Sequence, residues 1–344
     1  MHSYRHPILF IVIALFTILL VGCGTTSSDN ESTTAAATSE SATSESATET
    51  VETEETANSE QGASEERVIQ HALGETVISG TPKKIVTLYQ GANDIAVALD
   101  VQPVGIVESW VEPPVYEYLR EDLGDVPVVG VENQPNLEEI YKLQPDLIVA
   151  SRTRHEAIYE QLSQIAPTIV GKDVFDWKDT VDIMGQGLNK QAEAEQLMSD
   201  WDARVSDFKE KMGDRLPIEV TITNFRADHA RIFYMGYAGL ILKDLGFTRP
   251  PGHDSDEWGV KLSSKESIPD MNADMIFNFN TEAHTDATQK NYEEWTSHPL
   301  WQQLDAVKNN QVEMVGEVYW NSAGGYISAN KMLDEIYAIF ELEM

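Results

Sequence analysis

Four arginines stand where two short apolar runs end. Arg152 and Arg154 follow Leu147–Ala150, and Arg226 and Arg231 follow Ile218–Thr223. A guanidinium presents its N–H donors in a rigid planar fork, which suits two-point recognition of a carboxylate or an anionic chelate. Two such groups from each half of a chain describe a grip on a multiply anionic ligand. Aromatic residues fall in the same class of segment: Tyr89, Trp110, Tyr234, Tyr237, Trp258 and Trp320. They would supply the apolar walls that small-molecule sites usually have. Trp258 and Trp320 read as loop residues, with Gly nearby and no apolar periodicity around them.

Covalent chemistry has no comparable support. There is no Gly-x-Ser-x-Gly elbow and no phosphate loop, and the first apolar run leads into Tyr89-Gln90-Gly91-Ala92 rather than a dinucleotide fingerprint. The histidines at 71, 155, 229, 253, 284 and 298 show no short ligand spacing such as His-x-x-x-His, so the protein is expected to bind no bare metal and no cofactor. Capture without catalysis is the expectation.

Those residues need a scaffold, and the stretch from Asn189 to Met212 organises it. Apolar residues at Leu197, Trp201, Val205, Phe208 and Met212 follow one helical face. Asn189 is expected to cap the start, and Gly213 to provide a left-handed stop. On either side the sequence repeats: Glu138-Glu139-Ile140 then Asp146-Leu147-Ile148-Val149, and Glu266-Ser267-Ile268 then Asp274-Met275-Ile276-Phe277. Asn136 and Ser263 stand three residues before Glu139 and Glu266, as helix-start signals. Each copy closes in an apolar run of the buried parallel-strand type. Upstream of each lies another strand-then-helix pair, Ile85–Leu88 with Asp94–Leu99 and Ile218–Thr223 with Gly239–Leu245. The fold class is therefore α/β, with two Rossmann-like lobes joined by a single long α-helix and a ligand cleft between them, beyond the carboxyl ends of the strands.

Further runs fill out this frame. Val68–Ala72 and Thr76–Ile78 read as a hairpin; Val104–Val107, Val126–Val129, Thr168–Val170 and Gln311–Val315 read as strands. Helices are expected over Asp176–Met184, from His298-Pro299-Leu300-Trp301 onward, and over Ile327–Phe340, with Gly185 and Gly187 in the approach to the long helix. The domain organisation that follows is a signal segment 1–22, a tether 23–66, an N-terminal lobe 67–178, a bridging segment 179–212 and a C-terminal lobe 213–344.

The start of the chain sets the compartment. Arg5 and His6 precede the 14-residue apolar run Ile8–Val21 and then Leu20-Val21-Gly22-Cys23, a secretory signal too short to span a bilayer. Cys23 is the only cysteine, so no intramolecular disulfide can form. Residues 24–66 are Ser, Thr, Ala and Glu with eleven acids and no Lys or Arg, a composition that cannot bury enough apolar surface to order itself. Of the net charge of −33, about −23 remains on residues 67–344. So acidic a surface argues against nucleic acid or anionic membrane as partner. An arginine patch within it implies an anionic ligand drawn in locally.

Leu-Val-Gly-Cys resembles the bacterial lipobox, which makes Cys23 the lipidated first residue. Together with the two lobes, the bridging helix and the Glu repeat, it resembles the ABC-transporter solute-binding proteins for ferric siderophores, haem and cobalamin, over about residues 67–344. Three motifs resemble the branch that takes citrate-type ferric chelates: Arg154-His155-Glu156-Ala157-Ile158-Tyr159-Glu160-Gln161-Leu162 followed by Ile165-Ala166-Pro167-Thr168; Phe225-Arg226 with His229-x-Arg231; and Trp320-Asn321 with Gly324-Gly325 and Asn330-Lys331-Met332-Leu333. The resemblance implies a lipid-anchored monomer on the extracellular face of the cell membrane. It would pass a ferric siderophore to an ABC permease and its ATPase, with Glu138 and Glu266 as the docking residues. Two alternatives remain: a haem or cobalamin carrier on the same scaffold, and a siderophore-processing hydrolase.

Overall fold

Short apolar runs build the first sheet, and acidic residues stitch its strands together. A computed structural model describes residues 66–280 and 285–344; the signal segment, Cys23, residues 24–65 of the tether and His284 lie outside the described residues. β1 (Glu66–His71) and β2 (Gly74–Ser79) form the expected antiparallel hairpin. β3 (Ile85–Thr87), β4 (Gly105–Glu108), β5 (Val128–Val131), β6 (Gln134–Pro135), β7 (Leu147–Ser151) and β8 (Thr168–Gly171) then form one sheet, in the order β6-β5-β4-β3-β7-β8. It is parallel except for β6. Strands β3, β7 and β8 are buried along their whole length, as covered parallel strands must be.

The second sheet is β9 (Val220–Phe225), β10 (Ala230–Phe233), β11 (Gly259–Leu262), β12 (Met275–Asn278) and β13 (Val312–Met314), in the order β11-β10-β9-β12-β13. Its β9, β12 and β13 run parallel, but β9, β10 and β11 form an antiparallel meander. Arg226 and Arg231 thus belong to a hairpin, Arg226 in its bend and Arg231 in its second strand, with β9 ending at Phe225 and β10 beginning at Ala230. Trp258 immediately precedes β11, a strand whose half-exposed pattern carries no clear alternation.

The repeat has a structural meaning in both sheets. Asp146 accepts the backbone N–H groups of Lys83 and Lys84, which lead into β3, the neighbour of β7. Asp274 accepts the N–H of Glu219, which leads into β9, the neighbour of β12. Each carboxylate satisfies donors that the ladder leaves over at a strand entrance. Ile140 and Ile268 are fully buried beneath the two sheets. The caps differ in detail: Asn136 accepts from Glu138 and Glu139, whereas in the second copy Ser264, not Ser263, accepts from Glu266. Pro269 keeps that second turn a 3-10 helix.

The bridging helix runs Gln191–Met212. Asn189 does not cap it. With φ of 58°, Asn189 closes the preceding helix (Trp177–Gly187), where Lys190 N–H bonds Gly185 O at 2.7 Å and Asn189 N–H bonds Gln186 O at 3.3 Å. That is the paired bonding of a Schellman stop, and Asn tolerates the left-handed residue it needs. Gly185 and Gly187 lie inside that helix, where a Cβ on Gly185 would strike Ala194 of the bridging helix. Trp201, fully buried, meets Trp177 edge-on at 5.1 Å and donates its Nε1–H to Asp244. One apolar cluster passes from Ile85 and Leu147 through Trp201 and Phe208 to Val220 and Phe277, so both sheets share a core. Truncating Trp201 to Ala would remove about 3–5 kcal/mol.

A second connection crosses the molecule. Asp94, buried in the helix Gln90–Ala98, accepts the N–H groups of Ile327 and Ser328 at the start of the C-terminal helix (Tyr326–Ile339), and the Tyr118 hydroxyl. Only glycine fits at 325, because a Cβ there would overlap the Asp94 carboxyl.

Candidate ligand cleft

Loops leaving the carboxyl ends of both sheets line one cleft of about 530 Å³. Arg154 comes from the turn after β7, and Arg226 follows directly on β9. Each is held by a buried glutamate that follows another strand of the same sheet: Arg154 Nε donates to Glu132 Oε1 at 2.8 Å, and Arg226 Nη2 to Glu317 Oε1 at 3.2 Å. The glutamate side chains are 3% and 4% exposed and the arginines 34% and 29%, so the guanidinium groups are the solvent-facing members of both pairs. Charge is thereby presented to the cleft by groups whose direction is fixed from behind.

Glu132 is itself tightly placed. Its Oε2 accepts Trp110 Nε1–H at 3.3 Å and Gln90 N–H at 3.2 Å. Its backbone carbonyl lies 2.9 Å from His155 Nε2, while His155 Nδ1 accepts Ser151 N–H at 3.0 Å. These partners fix the tautomer with the proton on Nε2. Burial pushes the His155 imidazole down to about 4, with Arg154 adding to the shift, so the ring is neutral at pH 7 and serves as a strut.

Trp110 and Trp258, 47% and 46% exposed, line the cleft, as does Tyr237, which is buried and donates its hydroxyl proton to Gly325 O at 2.6 Å. Arg231 lies beside this lining. Its Nε donates to His229 Nε2 at 2.9 Å, and its guanidinium sits 5.8 Å from the Trp258 ring. Burial, then the charge of Arg226, lower the Arg231 pKa.

Four expected residues are elsewhere. Arg152 is exposed and does not line the cleft. Tyr89 is fully buried, with its hydroxyl 3.0 Å from Thr180 Oγ1. Trp320 is core: it lies in a π-helical turn (Val318–Ser322), packs on Phe277 at 4.6 Å and donates to Glu335 at 2.6 Å. One turn residue in a short sequence window leaves no periodicity to reveal such burial. Tyr234 stacks on His253 at 5.1 Å and lines a separate hollow with Pro250 and Pro251. Tyr234 lies just beyond the end of β10, and Phe233, the strand's last residue, lines the cleft instead.

Sequence reasoning missed Glu132 and Glu317. A signal existed: Val129-Gly130-Val131-Glu132 and Val315-Gly316-Glu317 are similar runs, differing by one residue in spacing, at strand ends in the two halves. Phe175, also in the lining, had none. Glu138 and Glu266 are exposed and outside the cleft, Glu138 within 3.0 Å of Lys142. Among the described residues no three His, Cys, Asp or Glu side chains cluster to hold a metal, and no helix is long and apolar enough to cross a membrane. A cleft of this composition can bind an anionic molecule with apolar faces.

Comparison with known proteins agrees with this architecture. The family model described as periplasmic binding protein matches residues 85–318. The achromobactin-binding periplasmic protein of Dickeya dadantii is 45% identical over 261 residues, covering 74% of this chain and 85% of that one. The probable siderophore-binding lipoprotein YfiY of Bacillus subtilis is 39% identical over 284 residues, 80% of this chain and 87% of that one. The crystal structure of Staphylococcus aureus SirA complexed with staphyloferrin B superposes with a TM-score of 0.77 at 50% identity, covering 80% of this chain and 99% of that one.

Proposed function

The chain belongs to the periplasmic binding protein family, and from that premise we propose that it is the siderophore-capturing component of an ABC iron importer, taking an anionic ferric chelate of citrate-based carboxylate or hydroxamate type. The observation that carries the reading is the pair of cleft arginines, Arg154 and Arg226, each set by a buried glutamate and each from a different sheet. Carboxylate oxygens of the chelate would meet these guanidinium groups in charge-assisted bonds, with Arg231 adding charge at the rim. Trp110, Trp258 and Tyr237 would cover the apolar faces. Iron stays coordinated by the chelate, and the protein acts as carrier rather than catalyst.

In this reading residues 67–178 and 213–344 are the two jaws and 179–212 the bridge. Relatives named as periplasmic proteins or lipoproteins support a position on the outer side of the cell membrane; Cys23 would anchor it there through lipid. Loaded protein would present Glu138 and Glu266 to the permease, which its ATPase drives. The test is intrinsic tryptophan fluorescence of the mature chain, titrated with ferric citrate, a ferric citrate-hydroxamate, a ferric catecholate, haemin and cobalamin. Saturable quenching by the citrate-type chelates is the expected result. A response to haemin or cobalamin alone would keep the scaffold and overturn the ligand.

A further inference from the structure

Glu317 is a buried carboxylate on the cleft wall with one oxygen engaged and one not. Its Oε1 accepts from Arg226, whereas Oε2, shielded from bulk solvent, meets no donor among the described residues. Its counterpart Glu132 has both oxygens occupied, by Arg154 on one side and by Trp110 and the Gln90 backbone on the other. The two halves supply similar Arg–Glu pairs, but only the second leaves a carboxylate oxygen of a cleft-lining residue without a donor among the described residues. A buried acceptor without a donor is costly, and more so when it carries charge.

We propose that Glu317 reads a hydrogen-bond donor on the captured chelate: an O–H or N–H group, not engaged on iron, seated against Oε2 while carboxylates meet Arg154 and Arg226. The inference rests on the ferric-chelate reading above and narrows it. The cleft would select a chelate of mixed character, anionic at its rim and bearing at least one donor. Arg226 and Glu317 then act as a unit that reads an acceptor and a donor side by side. A chelate lacking the donor would leave Oε2 buried and unpaired, which lowers affinity by about 10- to 100-fold.

The experiment uses ferric complexes of two bis-citrate diamide chelators, identical except that in one both amide nitrogens carry methyl groups. Fluorescence titration of the wild-type chain is expected to favour the N–H form at least tenfold. Glu317→Gln turns an N–H toward the ligand in place of the acceptor, and should bring the two affinities within about threefold by weakening the N–H form. Thermal melting of the variant, unchanged within a few degrees, separates this effect from loss of fold. Equal binding of both forms by the wild type would overturn the role of Glu317 and leave the siderophore reading standing. Binding of neither would overturn both. If Glu317→Gln weakened both forms alike, Glu317 would be only a support for Arg226, and the inference would be wrong.

Discussion

Asp94 accepts the backbone N–H of Ser328 at 2.9 Å across 234 residues of sequence. The bond ties the first helix among the described residues to the N-terminus of the C-terminal helix, beside the cleft residue Tyr237, whose hydroxyl contacts Gly325 and Ser328. The bridging helix is therefore not alone in joining the halves. A carboxylate at a helix N-terminus also answers the positive end of the helix dipole. Replacement of Asp94 by Ala would leave the Ile327 and Ser328 amides and the Tyr118 hydroxyl without their acceptor. A loss of about 2–4 kcal/mol in urea denaturation is expected. A change below 0.5 kcal/mol would mean that the crossing adds nothing to stability.

The Arg154–Glu132 pair separates binding from folding. Arg154→Met should reduce affinity for a citrate-type ferric chelate by more than tenfold and lower stability by about 1–3 kcal/mol, because Glu132 remains buried without its counter-charge. The exposure of Arg154 keeps the figure below that of a fully buried pair. Adding Glu132→Gln should restore most of the stability and none of the affinity. Recovery of affinity in the double variant would show that Arg154 does not contact the ligand.

His155 makes stability pH-dependent with a defined sign. Its folded pKa of about 4 lies below the ordinary value of 6.5, through burial first. The unfolded chain therefore takes up the proton first on acidification. The contribution is fully present above about pH 6.5 and is lost progressively toward pH 4, amounting to about 3 kcal/mol. Melting curves of wild type and His155→Gln should converge as the pH falls across that window. Parallel curves would assign the acid sensitivity to another group.

Glu138 and Glu266 lie outside the cleft, so the double substitution to Ala should leave chelate affinity within twofold while iron uptake by cells is lost. Weakened binding by the purified variant would place these residues wrongly. Unimpaired uptake would remove them from docking.

The sequence by itself determined the α/β class, the long helix, the repeat and the cleft arginines Arg154 and Arg226, because period, strand-end position and residue type are local properties. It also placed the repeated Asp146 and Asp274, though not their task of stitching strand entrances. Tertiary structure decided the rest. Which of two neighbouring aromatics faces the cleft depends on where β10 ends and how the chain leaves it, so Phe233 lines the cleft while Tyr234 lines a separate hollow. Trp320 reads as a loop residue until Phe277 and Glu335 close over it. Asn189 carries the signature of a helix start and serves as a helix stop, because the same side chain suits both and only the neighbouring helix chooses. Glu132 and Glu317 gain their roles from arginines 22 and 91 residues away, a pairing that exists only once each sheet is assembled.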